Sequence, residues 1–496
     1  MMKIGITMKD VVAIHDDKSP AWLFYTFGAQ MCGAWPLHFY FQRNDGSDVA
    51  AILKRSGCKY IITQPGDGDE YVEIMKYFIH FDKSGSVQSE DVPSLKHVLF
   101  FRKPQSLDHT VTFEDILPSA ENELPEIEPE DTAAIFCSSG STGPPKLVPW
   151  SHINLIVATI STFEAAEINC GEPFFCDRTF GWFGGYPKEL FVGVPRVTNS
   201  TSFKEKSISE ICKTTVQIIN EENCEHVVLF STTIAELLIG NERMKTVRTI
   251  LTGGGPISSF GSQLVGRFCQ KFINMYGLTE IGNISVNGVR LEKEMKSYDT
   301  GQPIPGVEVK LVDNEGRLCE VGNLGEVYVR NKSNTTGYLH EEQDWHKTNR
   351  MEGYWFKTGD AGYISEDGNL FVAGRISESI MIEGKILSPS HFEDIFMKHP
   401  CVENAVAFGI PNDVFDEVAG VALTLKEGKY ATIEDLRMFY INARNFNFDA
   451  SFYASKFVPK EFVFFDNFPL TNSGKLARRL VKEMSLIRIK SKNKKD

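Results

Sequence analysis

The chain has 496 residues, 42% of them hydrophobic and 24% charged, and a formal net charge of −13. That length exceeds what one core usually supports and predicts two or more domains, while the acidic balance argues against nonspecific nucleic-acid binding, which needs a basic surface. Ten cysteines without a C-x-x-C pair suit neither a zinc site nor a disulfide scaffold, so a reducing compartment is expected. In chain order, Val11-Val12-Ala13-Ile14 reads as a buried strand, Trp22–Trp35 as a helix and Tyr60-Ile61-Ile62 as another strand. Alternation of this kind predicts a parallel sheet with helices on its faces, and similar units recur at His226–Leu238 and Thr249-Ile250-Leu251. Past Gly301 the texture changes to short strands, Val307–Asp313 and Gly325–Val329, with Asp313-Asn314-Glu315-Gly316 and Glu366-Asp367-Gly368-Asn369 as turn signals. After Gly374-Arg375 an α+β pattern begins, with a helix from Ser390 and the strand-like run Ala405–Phe408. The main boundary is placed there, giving domains 1–375 and 376–496. The basic residues Arg488, Lys490, Lys492, Lys494 and Lys495 read as a solvated tail. No window approaches the about twenty apolar residues of a membrane span, and neither end carries a signal-peptide apolar region or a peroxisomal address. A cytoplasmic protein with no integral membrane segment is therefore expected.

The most informative run is Ser138-Ser139-Gly140-Ser141-Thr142-Gly143-Pro144-Pro145-Lys146, which follows the apolar stretch Ala133–Phe136 and leads to Trp150-Ser151-His152. Glycines let backbone N–H groups approach an anion, hydroxyls donate hydrogen bonds, and the lysine adds a point charge. The Walker spacing G-x-x-x-x-G-K-[ST] is absent, and a flexible serine-rich turn is the plainer alternative. A second run, Tyr276-Gly277-Leu278-Thr279-Glu280, offers an aromatic face for a flat base, a hydroxyl, and a carboxylate able to hold Mg²⁺; an ordinary strand end has a similar look. In Lys357-Thr358-Gly359-Asp360 the aspartate can accept two ribose hydroxyls or simply cap a turn. Gly374-Arg375 is a fourth signal. The fifth, Pro469-Leu470-Thr471-Asn472-Ser473-Gly474-Lys475, puts a lysine on a Gly-containing loop, where most lysines are solvated.

In their order and separation these five motifs resemble the adenylate-forming (AMP-binding) enzyme superfamily, which holds acyl-CoA synthetases, 4-coumarate–CoA ligases, nonribosomal-peptide adenylation domains and beetle luciferases. The likeness covers nearly the whole chain, since Ser151-His152-x-Asn154, Gly301-x-Pro303-x-Pro305-Gly306, His399-Pro400-x-Val402 and Pro469-x-Thr471 match as well. The resemblance implies an α/β fold: a large N-terminal domain of parallel-rich βα subdomains with a small β-barrel-like subdomain, then a small mobile α+β lid. It implies that ATP activates a carboxylic acid to an acyl-adenylate with release of pyrophosphate, followed by capture on coenzyme A, with Mg²⁺ required. By motif, Ser138, Ser139, Gly140, Ser141, Thr142, Gly143 and Lys146 would clamp the β- and γ-phosphates. Tyr276 and Gly277 would lie at the adenine, Thr279 at the α-phosphate, and Glu280 would hold Mg²⁺. Asp360 would bind the ribose, assisted by Arg375, and Lys475 would bridge the α-phosphate and the attacking carboxylate. The substrate pocket would include Phe180, Trp182, Gly254 and Gly255, and the lid would rotate about Ser377.

The chain departs from the family pattern in the segment after the domain boundary, at the start of the match and in the acyl-pocket stretch. Many relatives carry a lysine where Met381 follows Ile380, charged hinge residues are common where Ser377 stands, and the match begins at Gly5–Ile14, where relatives usually have several tens of preceding residues. No histidine occurs between His152 and His226, where relatives often place one in the acyl pocket. The aromatics Phe180, Trp182 and Phe183 there suit an apolar tunnel for a medium-chain or aryl acid, and core packing serves equally for any one of them. No paired Asp and Lys is evident to clamp an α-amino acid. The competing readings are an adenylating enzyme with a non-CoA acceptor, as in luciferases, and a catalytically impaired nucleotide-binding homologue. Oligomeric state is left open.

Overall fold

The computed structural model describes residues 1–15, 18–39, 46–81, 87–107, 112, 123–138, 145–199, 207–254, 261–290, 296, 298–333, 335, 337–340, 351–352, 354–382, 385–412, 416–443, 457–469 and 476–492. The chain divides into two compact units, Met1–Glu308 with Val329–Phe356, and Val309–Tyr328 with Lys357–Asp496.

The first unit holds two sheets of similar plan. One contains β1 (Val11–His15), β2 (Trp35–His38), β3 (Tyr60–Thr63), β6 (His97–Phe100), β7 (Thr132–Ser138) and β8 (Lys146–Ser151) in the order β6-β3-β1-β2-β7-β8. A short ribbon, β4 (His80–Phe81) and β5 (Val87–Gln88), lies outside it. The other contains β9 (Phe174–Cys176), β10 (Arg196–Val197), β11 (His226–Val228), β12 (Thr249–Gly253), β13 (Lys271–Leu278), β14 (Gly282–Arg290) and β15 (Gln302–Pro303) in the order β10-β9-β11-β12-β13-β14-β15. Each sheet is parallel until its last strands, where β7 pairs antiparallel with β8 and β13 with β14.

The central parallel strands, such as Val11–His15 and Tyr60–Thr63, are buried along their whole length because both faces of the sheet are covered. In the second sheet Phe175, Val227, Ile250 and Phe272 face one core, while Phe174, Val228, Leu251 and Ile273 face another shared with Phe163 of α4 (His152–Ala166). The expected helix Trp22–Trp35 is shorter: α1 spans Pro20–Met31, and Trp35 opens β2. Gly33 adopts φ +66°, and the N–H groups of Gly33 and Ala34 close on the carbonyls of Gln30 and Ala29, a glycine-dependent helix stop that apolar periodicity does not reveal. On the outer side α1 and α4 leave Phe24, Met31, Ile156 and Ile160 exposed.

The short strands expected after Gly301 are β16 (Val307–Val312), β17 (Gly325–Asn331), β18 (Met351–Glu352), β19 (Trp355–Ile364) and β20 (Leu370–Arg375), which form a five-stranded sheet. Both turn signals are used: Asp313 Oδ1 accepts the N–H groups of Glu315 and Arg317, and Gly316 and Gly368 each adopt φ +79°. The second unit also holds β21 (Ile380–Ile382), β22 (Lys385–Leu387), β23 (Val402–Asn412), β24 (Asp416–Leu425) and β25 (Glu461–Phe464). One face of that sheet packs on the helices Ser390–Phe396 and Ile433–Ala443 through Phe392, Phe396 and Tyr440, and the other on the helix Arg478–Lys492 through Val481 and Ile489. Part of the basic run expected to be a solvated tail is thus helical, and Arg488 donates to the Phe464 carbonyl at 2.7 Å.

Candidate active site

The two antiparallel hairpins β7–β8 and β13–β14 each carry one candidate nucleotide motif. The β7–β8 register ends at the pair Ser138–Lys146, the first and last residues of the serine- and glycine-rich run. The apolar stretch Ala133–Phe136 fixes the strand below it, all four residues being almost fully buried. Arg55, in the helix Ser47–Ser56, donates to the Pro145 carbonyl at 2.7 Å and holds the descending side. Ser139, Gly140, Ser141, Thr142 and Gly143 lie outside the described residues, as do Gly255 and Lys475.

The β13–β14 hairpin turns at Thr279–Ile281, with its register shifted between Tyr276 and Gly277. A side chain at Gly277 would lie 2.4 Å from the Gly282 carbonyl oxygen, so only glycine fits beside Tyr276. Trp150 on β8 donates from Nε1 to the Thr279 carbonyl at 2.9 Å, joining the two hairpins, and its buried indole stacks on Phe183 at 4.7 Å. The segment after β17 straps both tips. Thr335 donates from its N–H to the Glu280 carbonyl at 3.1 Å and from its hydroxyl to the Pro149 carbonyl at 2.8 Å. Leu339 N–H donates to the Leu147 carbonyl at 2.9 Å, and the Tyr338 hydroxyl donates to Glu280 Oε1 at 2.7 Å. The Lys146 ammonium lies 4.4 Å from the centroid of the same Tyr338 ring. Ser138, Lys146, Thr279 and Glu280 therefore converge on one framework within the first unit.

The Glu280 carboxylate is half-buried, and one oxygen is bonded to a neutral hydroxyl. Among the described residues no cation forms an ion pair with it. That donor set fits a hard divalent ion such as Mg²⁺, which takes one or two protein carboxylates beside phosphate oxygens.

The acyl-pocket segment has a different character. Phe180 is buried against Trp22 and beside the Arg196 guanidinium, and Phe183 is buried under Trp150, so both serve the core. Trp182 is half-buried, and a Cβ at Gly254 would lie 3.3 Å from its ring, so indole and glycine backbone are in contact range. Behind Trp182 lies a cluster of buried charges. Arg178 stacks on Trp182 and Phe230, with its guanidinium carbon 5.1 and 3.8 Å from the ring centroids, and approaches Asp177 Oδ1 at 3.2 Å. Asp177 also accepts the Phe230 N–H at 2.8 Å, and burial pushes its carboxyl up to about 6 against the pull of Arg178. Lys18 donates to Asn199 and to the Asp177 carbonyl, while Arg196 pairs with buried Glu189 at 2.7 Å.

In the second unit, Asp360 on β19 and Arg375 on β20 are cross-strand partners, and Arg375 Nε lies 3.2 Å from Asp360 Oδ1. Thr358 donates to the Val327 carbonyl and accepts the Asp360 N–H, so the Thr-Gly-Asp turn is braced from below. Ser377 is exposed in a short 3₁₀ turn, Ile376–Glu378, directly after this pair. Met381 follows on β21, and its N–H donates to Glu417 at 2.8 Å.

The family model of AMP-binding enzymes matches residues 1–339, and that of the AMP-binding enzyme C-terminal domain matches residues 391–475. The chain belongs to the AMP-binding enzyme family. An oxalate–CoA ligase of Saccharomyces cerevisiae is 27% identical over 71% of this chain; the alignment covers 63% of that relative, under two thirds of its length. A mitochondrial medium-chain acyl-CoA ligase of Mus musculus is 25% identical over 97% of this chain and 80% of its own. The O-succinylbenzoate coenzyme A synthetase of Bacillus subtilis, in complex with ATP and a magnesium ion, has the same fold, with a TM-score of 0.74 over 97% of this chain and 91% of that one at 22% identity. Both named relatives are CoA ligases, that is, acid–thiol ligases. No helix among the described residues is long and apolar enough to cross a membrane.

For an AMP-binding enzyme, sequence reasoning missed two groups here. Tyr338 carries no recognisable motif, although the Gly337-Tyr338 pair beside a strand was visible. The buried cluster of Lys18, Asp177, Arg178, Glu189 and Arg196 was hidden because Lys18 and Asp177 are 159 positions apart.

Proposed function

We propose that this chain is an AMP-forming acid–thiol ligase. A carboxylate oxygen attacks the α-phosphate of ATP, giving an acyl-adenylate and pyrophosphate; the thiol of coenzyme A then attacks the acyl carbon, releasing AMP and leaving the thioester. The observation that carries this reading is the convergence of Ser138, Lys146, Thr279 and Glu280 on two joined hairpin tips. In this reading Lys146 and the loop Ser139–Gly143 hold the β- and γ-phosphates, Tyr276 and Gly277 flank the adenine, and Thr279 contacts the α-phosphate. Glu280 holds Mg²⁺, which supplies charge neutralisation on the phosphates when bound. Asp360 accepts the ribose hydroxyls with Arg375 in support, and Lys475 bridges the attacking carboxylate and the α-phosphate. Positioning and charge neutralisation carry most of the catalysis in such a transfer.

The acid is assigned to the medium-chain or aryl class. Trp182 beside Gly254 supports an apolar wall, and the Mus musculus relative, named for medium-chain acids, supports the aliphatic side of that range. A domain boundary at Arg375 and a hinge at Ser377 belong to the same proposal, as does a cytoplasmic setting.

The test is pyrophosphate release with ATP and Mg²⁺ against a panel of carboxylic acids, with and without coenzyme A. Release with a medium-chain or aryl acid and conversion to its thioester is expected. Lys475→Ala should slow release by about two orders of magnitude or more while ATP still binds. No release with any acid overturns the reading, and release without a thioester assigns another acceptor.

A further inference from the structure

The geometry points to Tyr338 as a positioning residue that keeps the metal-binding carboxylate and the phosphate-binding ammonium apart and separately aimed. This inference rests on the proposed roles of Glu280 and Lys146. Opposite charges in one site tend to pair, and a direct pair would withdraw both from a metal–nucleotide complex. A single ring engages each of them differently. Its hydroxyl edge donates to Glu280 Oε1 at 2.7 Å, while its face lies 4.4 Å beneath the Lys146 ammonium. Neither contact neutralises the charge it orients. A phenol donating to a carboxylate leaves the anion intact, and a cation over a ring keeps its full charge.

The ring is itself held. Tyr338 is 3% exposed, so its hydroxyl has little competition from water. The flanking backbone is fixed on both sides, by Thr335 N–H to the Glu280 carbonyl and Leu339 N–H to the Leu147 carbonyl. Those acceptors belong to the two hairpins that carry the charges. The tyrosine therefore sets the separation of Glu280 and Lys146 from a segment that belongs to neither.

Binding of Mn²⁺ in the presence of ATP, followed by electron paramagnetic resonance on the full-length chain, tests this without relying on turnover. Tyr338→Phe removes one oxygen and keeps the ring. It should weaken Mn²⁺ binding about ten- to hundredfold, the equivalent of one hydrogen bond to a charged group, with metal-free ATP affinity and Tm close to wild type. Tyr338→Leu removes the ring as well and should also weaken metal-free ATP. Glu280→Gln is the reference for losing the carboxylate charge. If Glu280→Gln loses Mn²⁺ and Tyr338→Phe binds it as wild type does, the positioning role is overturned and the ligase reading stands. If Glu280→Gln and wild type bind Mn²⁺ equally in the presence of ATP, the role assigned to Glu280 fails and the inference fails with it. Should Tyr338→Phe lose stability, an unchanged metal-free ATP affinity in Tyr338→Leu still overturns the proposal.

Discussion

Glu172, just before β9, is kept ionised by its company. Burial works against the carboxylate, but it accepts the Asn169 N–H at 2.8 Å, meets His226 Nε2 at 2.8 Å and pairs with Arg248 at 2.9 Å. The donors outweigh the burial and bring its pKa down to about 2 from an ordinary 4.5. A carboxyl depressed on folding stabilises the protein above its unfolded pKa, and that stabilisation is lost as pH falls through the folded value. The contribution is therefore complete above pH 4.5 and fades between 4.5 and 2, and amounts to at most about 3 kcal/mol. Burial holds the His226 pKa below its ordinary value, so near neutrality the imidazole meets Glu172 as a neutral ring. In urea unfolding, Glu172→Gln should be less stable than the parent at pH 6, and the gap should close as pH approaches 2. A gap that stays constant with pH would show that Glu172 acts through shape rather than charge.

At the scale of elements, the helix Arg478–Lys492 begins three residues after Lys475 and is anchored at its first residue. Arg478 meets Glu393 with a two-pronged contact, 2.7 and 2.5 Å, and Glu393 also accepts the Ala407 N–H from β23. Ala477 N–H donates to the Pro469 carbonyl at 2.9 Å, so the ends of the Lys475 segment are brought together. Glu393 is 6% exposed, and removal of its partner leaves a buried charge uncompensated. Arg478→Ala should destabilise the chain by about 3 kcal/mol in chemical unfolding, and Arg478→Lys, which lacks the planar fork, should fall between. A loss under about 0.5 kcal/mol, the size of an ordinary surface substitution, would mean that the backbone donor suffices. Elements such as these differ in how plainly the residues announce them. Val11–His15 was legible because both faces are buried and its first four residues form a continuous apolar run, and Thr249–Gly253 because β-branched and apolar residues are buried together. The end of α1 was not, because the stop depends on the left-handed conformation of Gly33 rather than on polarity.

For the whole molecule, the described motif residues fall into a first-unit set on two hairpins and a second-unit pair, Asp360 and Arg375, while Lys475 lies outside the described residues. A proposed chemistry for each motif was legible because phosphate, ribose and metal contacts demand particular residue types in short stretches. The framework joining them was not, since Trp150 and Thr279 are 129 positions apart, and Tyr338 and Glu280 are 58 apart. The proposed lid rotation is a property of the full chain and predicts that its two half-reactions can be separated. Ser377 is exposed at the second position of a short turn, and a proline there would restrict backbone rotation. Ser377→Pro should retain pyrophosphate release within about twofold and reduce thioester formation about tenfold or more, if rotation about this residue gates the second step. Equal loss in both half-reactions would place the hinge elsewhere. The strap at Thr335, Tyr338 and Leu339 has a consequence of its own. Its bonds reach both sheets yet belong to neither ladder, so it can open while the strands stay paired. The fraction of time that the two hairpin tips stay joined by the strap is then set by the opening free energy of a few residues, and the proposed activity can fade on heating well before either core melts.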